Sequence, residues 1–298
     1  MGYFFALLAP FLDSVTIYLD KLILSKYKIN HTTLTLFTGY FALVSGIVVF
    51  FLGGFELLDL KSSLIITLSG FLGTMVILTY FKALTLDEAS RVGTLFQIVP
   101  VFVIILSLIF LQEKLFLRQY LGALFIVCAG IMLSINRSEF NKIKMNKAFW
   151  YMCLSCLFSA LVYILYKIGV GEKAFLSTLP YEGLGNGIAS TFILMYRDNY
   201  KLLIKSTRQL SKITISIIVI NEFLYRLSKY AFFFALYLIP ASIVSIIQGL
   251  QPFFLLMLGV SLSLFFPSAL KEVVNKKTIG IKFAAAFSIF VGLYLLFI

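Results

Sequence analysis

The sequence predicts an all-α membrane protein whose ten transmembrane helices form two inverted five-helix repeats. Three observations carry that expectation. Of the 298 residues, 61% are hydrophobic and only 13% charged, with a mean hydropathy of +1.01; a soluble domain carries about a quarter charged residues. The apolar stretches run to about 20 residues, the length that crosses a hydrocarbon core of about 30 Å. Residues 83–100 also return without a gap as residues 235–252. Ala83-Leu84-Thr85-Leu86-Asp87-Glu88-Ala89-Ser90-Arg91-Val92 aligns with Ala235-Leu236-Tyr237-Leu238-Ile239-Pro240-Ala241-Ser242-Ile243-Val244, and Pro100 falls on Pro252. The runs are continuous and do not alternate with period two, which argues against a β-barrel.

In chain order the spans are 3–24, 32–53, 62–82, 90–111 and 117–135, then 148–170, 177–196, 212–237, 241–266 and 278–298. The first is no cleavable signal, because Met1-Gly2-Tyr3-Phe4 lacks a basic region and Asp13 lies inside the run. The seventh is the most dilute, interrupted by Tyr181-Glu182-Gly183-Leu184-Gly185-Asn186-Gly187. Residues 1–135 read as the first repeat, 136–147 as a polar linker and 148–298 as the second repeat. Lys21 and Lys167 close equivalent spans, and Ala123, Phe125, Gly130 and Leu133 align with Ala285, Phe287, Gly292 and Leu295.

Five spans per copy is an odd number, so the copies enter the bilayer in opposite directions. Such a pair forms an interface that can open to either side in turn. The net charge of +12 sits in loops between the spans, where it anchors lipid headgroups and sets orientation rather than binding nucleic acid. Arg137, Lys142, Lys144, Lys147, Arg197, Lys201, Lys205 and Arg208 all fall on the face of the odd-numbered loops. That places those loops in the cytoplasm and both termini outside. Cys153 and Cys156 form a C-x-x-C inside a lipid-buried helix, where small apolar filler is the expected role.

Several polar residues fall within the spans. Pro100 and Pro252 each sit mid-span and would break the helix. Gln97, Gln248 and Gln251 precede them and can either line a polar cavity or bond between helices. In the eighth span Glu222, Tyr225, Arg226 and Lys229 share one helical face. Charges there cost several kcal/mol unless paired or wetted. Glu222 and Arg226 can pair with each other, leaving Lys229 uncompensated; the set is then either a buried structural ion pair with Lys229 snorkelling, or a water-filled path in which Lys229 attracts an anionic or zwitterionic substrate and Glu222 binds a proton. Asp13, Thr16 and Asp20 form a stripe on the first span, with Asp13 the deeper carboxylate and Asp20 expected at headgroup level. Tyr163 and Tyr166 are further candidates on the sixth. Glu113, at the end of the fourth span, is expected to pair with Lys114 or Arg118.

These motifs resemble the drug/metabolite transporter superfamily, in particular its EamA-like ten-span branch. The resemblance rests on Tyr80-Phe81-Lys82-Ala83-Leu84, Glu88-Ala89-Ser90-Arg91-Val92, Pro100-Val101-Phe102, Gln112-Glu113, Gly122 and Gly130. Ala235-Leu236, Ala241-Ser242, Pro252 and Gly292 carry it in the second copy. The chain departs from the family pattern after the ninth span, where Phe265-Phe266 stands in place of an acidic residue. The resemblance implies both termini in the cytoplasm, against the charge count. It also implies a transporter of amino acids, purines, drugs, sugars or nucleotide-sugars.

The expected function is therefore secondary transport of small polar metabolites or drugs across the plasma membrane by alternating access. The partners are a small-molecule substrate, membrane lipids and protons or ions for coupling. No cofactor and no metal are expected. No G-x-x-x-x-G-K-[ST] motif appears, so ATP is not the direct driver. A lipid-linked sugar flippase on the same fold is one alternative. An integral-membrane enzyme is another, disfavoured because Asp87-Glu88 is the only adjacent acidic pair and the chain has 1 histidine.

Overall fold

The computed structural model describes residues 1–52, 57–86, 95–134, 147–208, 210–255, 257–258 and 276–297. The motif at 87–92, most of the linker 136–147, and Phe265-Phe266 lie outside the described residues, as does the side chain of Lys21. The described residues are helical and include no strand. The helices are α1 (Gly2–Ser25), α2 (His31–Leu52), α3 (Leu60–Leu86), α4 (Val99–Phe110), α5 (Leu117–Ser134), α6 (Lys147–Val170), α7 (Phe175–Met195), α8 (Arg197–Arg208), α9 (Lys212–Leu238), α10 (Ala241–Gln248) and α11 (Lys276–Phe297). A 3₁₀ turn at Phe96–Ile98 leads into α4.

Local chemistry sets the boundaries. The side chains of Asn30, Asp59, Gln119 and Ser211 accept from backbone N–H groups at the starts of α2, α3, α5 and α9, which would otherwise lack partners. Lys28, Gln112 and Gly171 adopt positive φ just beyond α1, α4 and α6 and turn the chain back. Near the start of α3, outside the spanning core, the Lys173 ammonium bonds Asp59 at 2.9 Å and holds that carboxyl below the usual range.

The fold is an integral membrane architecture. α1 to α3 and α6 are long and apolar enough to cross a bilayer. α7 and α9 reach similar lengths, 21 and 27 residues, but carry polar side chains inward. Helix α9 shows the reversal most clearly. It buries Asn221, Glu222, Arg226 and Ser228 and exposes Ile215, Val219, Ile220, Phe223 and Leu227. In water so large an apolar surface would aggregate, whereas in a bilayer it is the surface that lipid covers.

Contacts fix how the helices run. Asn221 reaches Asp20, Ser228 reaches Ala9 and Asp13, and Gly2 lies against Ile239, so α1 and α9 are antiparallel. α3 and α6 are antiparallel too, with Ser69 on Val162 and Ser155 on Val76. α3 and α9 each contain 27 residues and stand 152 positions apart at both ends, from 60 to 212 and from 86 to 238. α5 packs on α11 through Gly122 and Gly292.

Two features depart from the sequence expectation. The loop after α7 is itself a helix, α8, lying over the ends of α2 and α7. It exposes Arg197, Lys201, Lys205 and Arg208, which recur every three or four residues along one stripe. The prolines also sit differently. Pro100 occupies the first turn of α4, directly after the 3₁₀ turn, and Pro252 follows a turn at Gly249-Leu250, one residue after the chain becomes helical again. At a helix start the missing N–H costs nothing, so the break lies before each proline rather than at a mid-helix kink.

α3 and α7 approach each other closely at two glycines. A Cβ on Gly70 would strike the carbonyl of Glu182, and one on Gly185 would strike the backbone of Thr67 and Phe71. Here the absence of a side chain lets two helices touch. Gly70→Val should therefore lower stability by about 1–3 kcal/mol, the usual cost of overpacking. A melting curve of the detergent-purified variant measures it, and an unchanged midpoint would show that this contact is not tight.

Candidate functional site

The breaks before Pro100 and Pro252 face each other across the centre of the molecule. Between them lies a cavity of about 140 Å³ lined from α1, α2, α3, α4, α6, α7, α9 and α10. Asp13, Gln97, Pro100, Tyr163, Glu222, Tyr225, Arg226, Lys229, Gln248 and Gln251 all line it, while Pro252 stands just behind Gln251. Residues far apart in sequence are thus gathered in one polar space inside an apolar bundle.

Each charge there has a particular surrounding. Asp13 accepts from the hydroxyl of Ser228 at 2.6 Å and from the amide of Gln248 at 2.7 Å, so both oxygens are occupied. Arg226 pairs with Glu182 at 3.3 Å, both side chains only 5% exposed. The other oxygen of Glu182 accepts from Asn186 at 2.7 Å. This corrects the expected Glu222–Arg226 pair. A residue on the neighbouring α7 competes successfully with one a single turn away, and Glu222 turns instead to the hydroxyl of Thr38 at 2.7 Å. The Lys229 ammonium lies 5.1 Å from the ring centre of Tyr225 and 5.5 Å from that of Phe232. Among the described residues it makes no salt bridge; the aromatic faces supply a partial counter-charge.

Asp20 lines the cavity as well and is not confined to the headgroup level expected from its place in the span. It accepts from Asn221 at 2.8 Å. Sequence reasoning missed Asn221, Glu182, Asn186 and Thr38. Glu182 and Asn186 are four residues apart on one face of α7, and an acid inside a span is itself a signal. The glycines around them concealed it by lowering the hydropathy of that span.

The carbonyl of Gln251 accepts from Ser14 at 3.2 Å and that of Leu255 from Tyr18 at 2.8 Å, so α1 is tied by side-chain hydrogen bonds to the segment that follows the break. Gln97 lies against Gly130, where a Cβ would meet its amide. Toward the C-terminus of α9 the lining ends at Phe232 and Phe233. They pack on Tyr163 and Tyr166 with ring centres 4.4 and 4.1 Å apart.

Beyond that aromatic floor, two charges hold the turn between α9 and α10. Lys167 donates to the carbonyls of Leu236 and Ile239, the latter at 2.9 Å. Glu113 accepts from the backbone N–H groups of Ala241 and Ser242 at 2.9 and 3.0 Å, and from the Ser242 hydroxyl at 2.7 Å. The expected pairing of Glu113 with Lys114 or Arg118 gives way to this one. A cation thus meets the negative end of α9 and an anion the positive end of α10.

Residues 1–135 match the EamA-like transporter family. A Sinorhizobium protein described as an uncharacterized transporter in the cobO 3' region is 37% identical over 75 residues. That match covers 25% of this chain and 53% of the relative, so the chain spans about half the relative's length. A solved structure described only as the crystal structure of a protein superposes with a TM-score of 0.67. The superposition covers 99% of this chain and 95% of the other at 12% identity, which speaks to the fold alone.

Arg226→Met, which leaves Glu182 buried without its cation, should cost about 3–5 kcal/mol. Adding Glu182→Gln should restore much of that loss, because the orphaned charge is gone. Thermal melts of the two variants test the pairing, and equal stability of single and double variants would refute it.

Proposed function

From a chain that carries an EamA-like transporter domain of the drug/metabolite transporter superfamily over residues 1–135, we propose a secondary transporter. In this reading it moves small polar metabolites or drugs through the central cavity by alternating access. The observation that carries the proposal is the cavity itself. Four carboxyl groups, Asp13, Asp20, Glu182 and Glu222, and two cations, Arg226 and Lys229, line one cavity beside two broken helices. Such groups are costly to keep in a membrane, and ionisable residues gathered around a cavity there mark solute or ion pathways.

Ten spans in two inverted repeats, 1–135 and 148–298, account for the packing. α1 lies antiparallel to α9 and α3 antiparallel to α6, so exchanging the repeats exchanges the two contacts. Helix α3 packs closely on α7, whereas its counterpart α9 meets α2 mainly through side chains such as Glu222 and Thr38. A rocking motion that exchanged these two contacts would present the cavity to the other side. The expected setting is the plasma membrane, and the driving force a proton or ion gradient or solute exchange. Glu222 is the group we assign to proton binding, with Asp13, Gln97, Tyr163, Tyr225, Arg226, Lys229, Gln248 and Gln251 forming the solute site.

Glu222→Gln keeps the shape of the side chain and removes its titration. In sealed proteoliposomes the variant should insert normally, and its solute flux should no longer vary with pH. Flux that keeps its wild-type pH dependence would remove Glu222 from the mechanism.

A further inference from the structure

The polar groups of the cavity divide into those already satisfied and those left idle. Asp13 and Glu182 each have both carboxylate oxygens engaged, Asp13 by Ser228 and Gln248 and Glu182 by Asn186 and Arg226. These two acids are complete as they stand. Glu222 is different. Its Oε1 accepts from Thr38, while its Oε2 is buried with no partner. The adjacent Asn221 repeats the pattern. Its amide nitrogen donates to Asp20, and its Oδ1 is buried without a partner. Both residues are 2% exposed and both line the cavity. A buried acceptor without a donor is costly, and native proteins leave few of them.

What is missing at this end of the cavity is a donor, and the surrounding charge says of which kind. Asp20 and Glu222 bring two carboxyl groups to it. The nearest cation on α9, Arg226, is engaged with Glu182, and Lys229 lies a further turn along against Tyr225 and Phe232. Among the described residues no group of three or more His, Cys, Asp or Glu side chains is placed to hold a metal ion. A positively charged group bearing its own hydrogens matches these acceptors. A primary ammonium has N–H bonds for the two unpartnered acceptors, Oδ1 of Asn221 and Oε2 of Glu222, and the Asp20 carboxyl beside Asn221 adds negative charge to the same lining. One turn from Glu222 toward Lys229, Nε of Arg226 is a buried donor without a partner, and an acceptor on the remaining part of the solute would meet it there.

We propose that the transported solute carries a primary ammonium group, bound by Asn221, Glu222 and Asp20 in the central cavity. The inference rests on the transport reading of that cavity and narrows its substrate class. An N-acylated or fully methylated amine would leave the acceptors idle. The site should therefore discriminate against both by about tenfold or more, the worth of a buried charge-assisted bond.

The test uses full-length purified protein in detergent and reads binding by thermal shift and calorimetry. The probes are butylamine, putrescine, L-leucine and L-phenylalanine, their N-acetyl and N-trimethyl counterparts, and sodium chloride alone. At least one free amine should bind, its acetylated and trimethylated forms about tenfold more weakly. Glu222→Gln and Asn221→Leu should each weaken the amine and narrow that difference, with Asn221→Leu serving if Glu222→Gln proves unstable. Equal binding of amine and N-acetyl forms, stabilisation by sodium alone, or no binding by any amine would overturn the proposal. Flux separates the two readings. Vesicle uptake of the N-acetyl probes at the amine rate would sink the ammonium subsite and keep transport. Amine binding without flux of any probe would keep the subsite and sink transport.

Discussion

The bundle depends on one constraint: hydrocarbon offers no hydrogen bonds, so every polar group in a span must be satisfied by the protein or by what the protein encloses. Helix α9 meets that constraint by turning its charged face inward, onto α1, α2 and α7, and giving its apolar face to lipid. From that choice the rest follows. Glu182 lies inside α7 as the counter-charge of Arg226, Ser228 and Gln248 hold Asp13, and Ser14 and Tyr18 occupy the carbonyls around the break near Pro252. The cavity is what remains when these partners have been drawn in and a few acceptors still have none.

Helix ends follow the same rule with opposite signs. The turn at Ile239-Pro240 has the negative end of one helix and the positive end of the next, and the chain answers with Lys167 and Glu113. Glu113 comes from the first half of the sequence and grips α10 of the second, so the halves are joined by a charged contact as well as by apolar packing. The corresponding carboxylate after the ninth span is absent from the sequence, where Phe265-Phe266 stands.

Much of this was legible in the sequence, and the limits have physical causes. The long helices α1, α2, α3 and α6 lie within a few residues of the apolar runs, because a run of about 20 apolar residues has few other fates, whereas the ninth run is interrupted at Gly249-Leu250. The candidate residues on α1, α4, α6, α9 and α10 met in one cavity because each had been picked as a polar group inside a span. Partner choice was not legible. Spacing on one helix put Glu222 beside Arg226, yet a carboxylate on α7 is better placed, and only tertiary packing decides such a contest. Helix α8 escaped for a related reason. Its charged stripe reads as a polar loop until one sees that Leu202, Leu203 and Ile204 are half-buried beneath it.

The spacing between α3 and α9 carries the argument one step further. The two helices are of equal length and 152 positions apart, which sets Ser69, Gly70, Gly73 and Thr74 against Asn221, Glu222, Tyr225 and Arg226. In α3 the glycine of this set allows the backbone to touch that of α7 at Glu182. In α9 the matching position is Glu222, whose side chain reaches across to Thr38 and holds α2 at a distance. A glycine can close such a contact and a glutamate cannot. The same few positions therefore decide which helix pair is tight and which stands apart. At these positions α3 carries small residues where α9 carries ionisable ones, while Asp13 and Asp20 enter the cavity from α1.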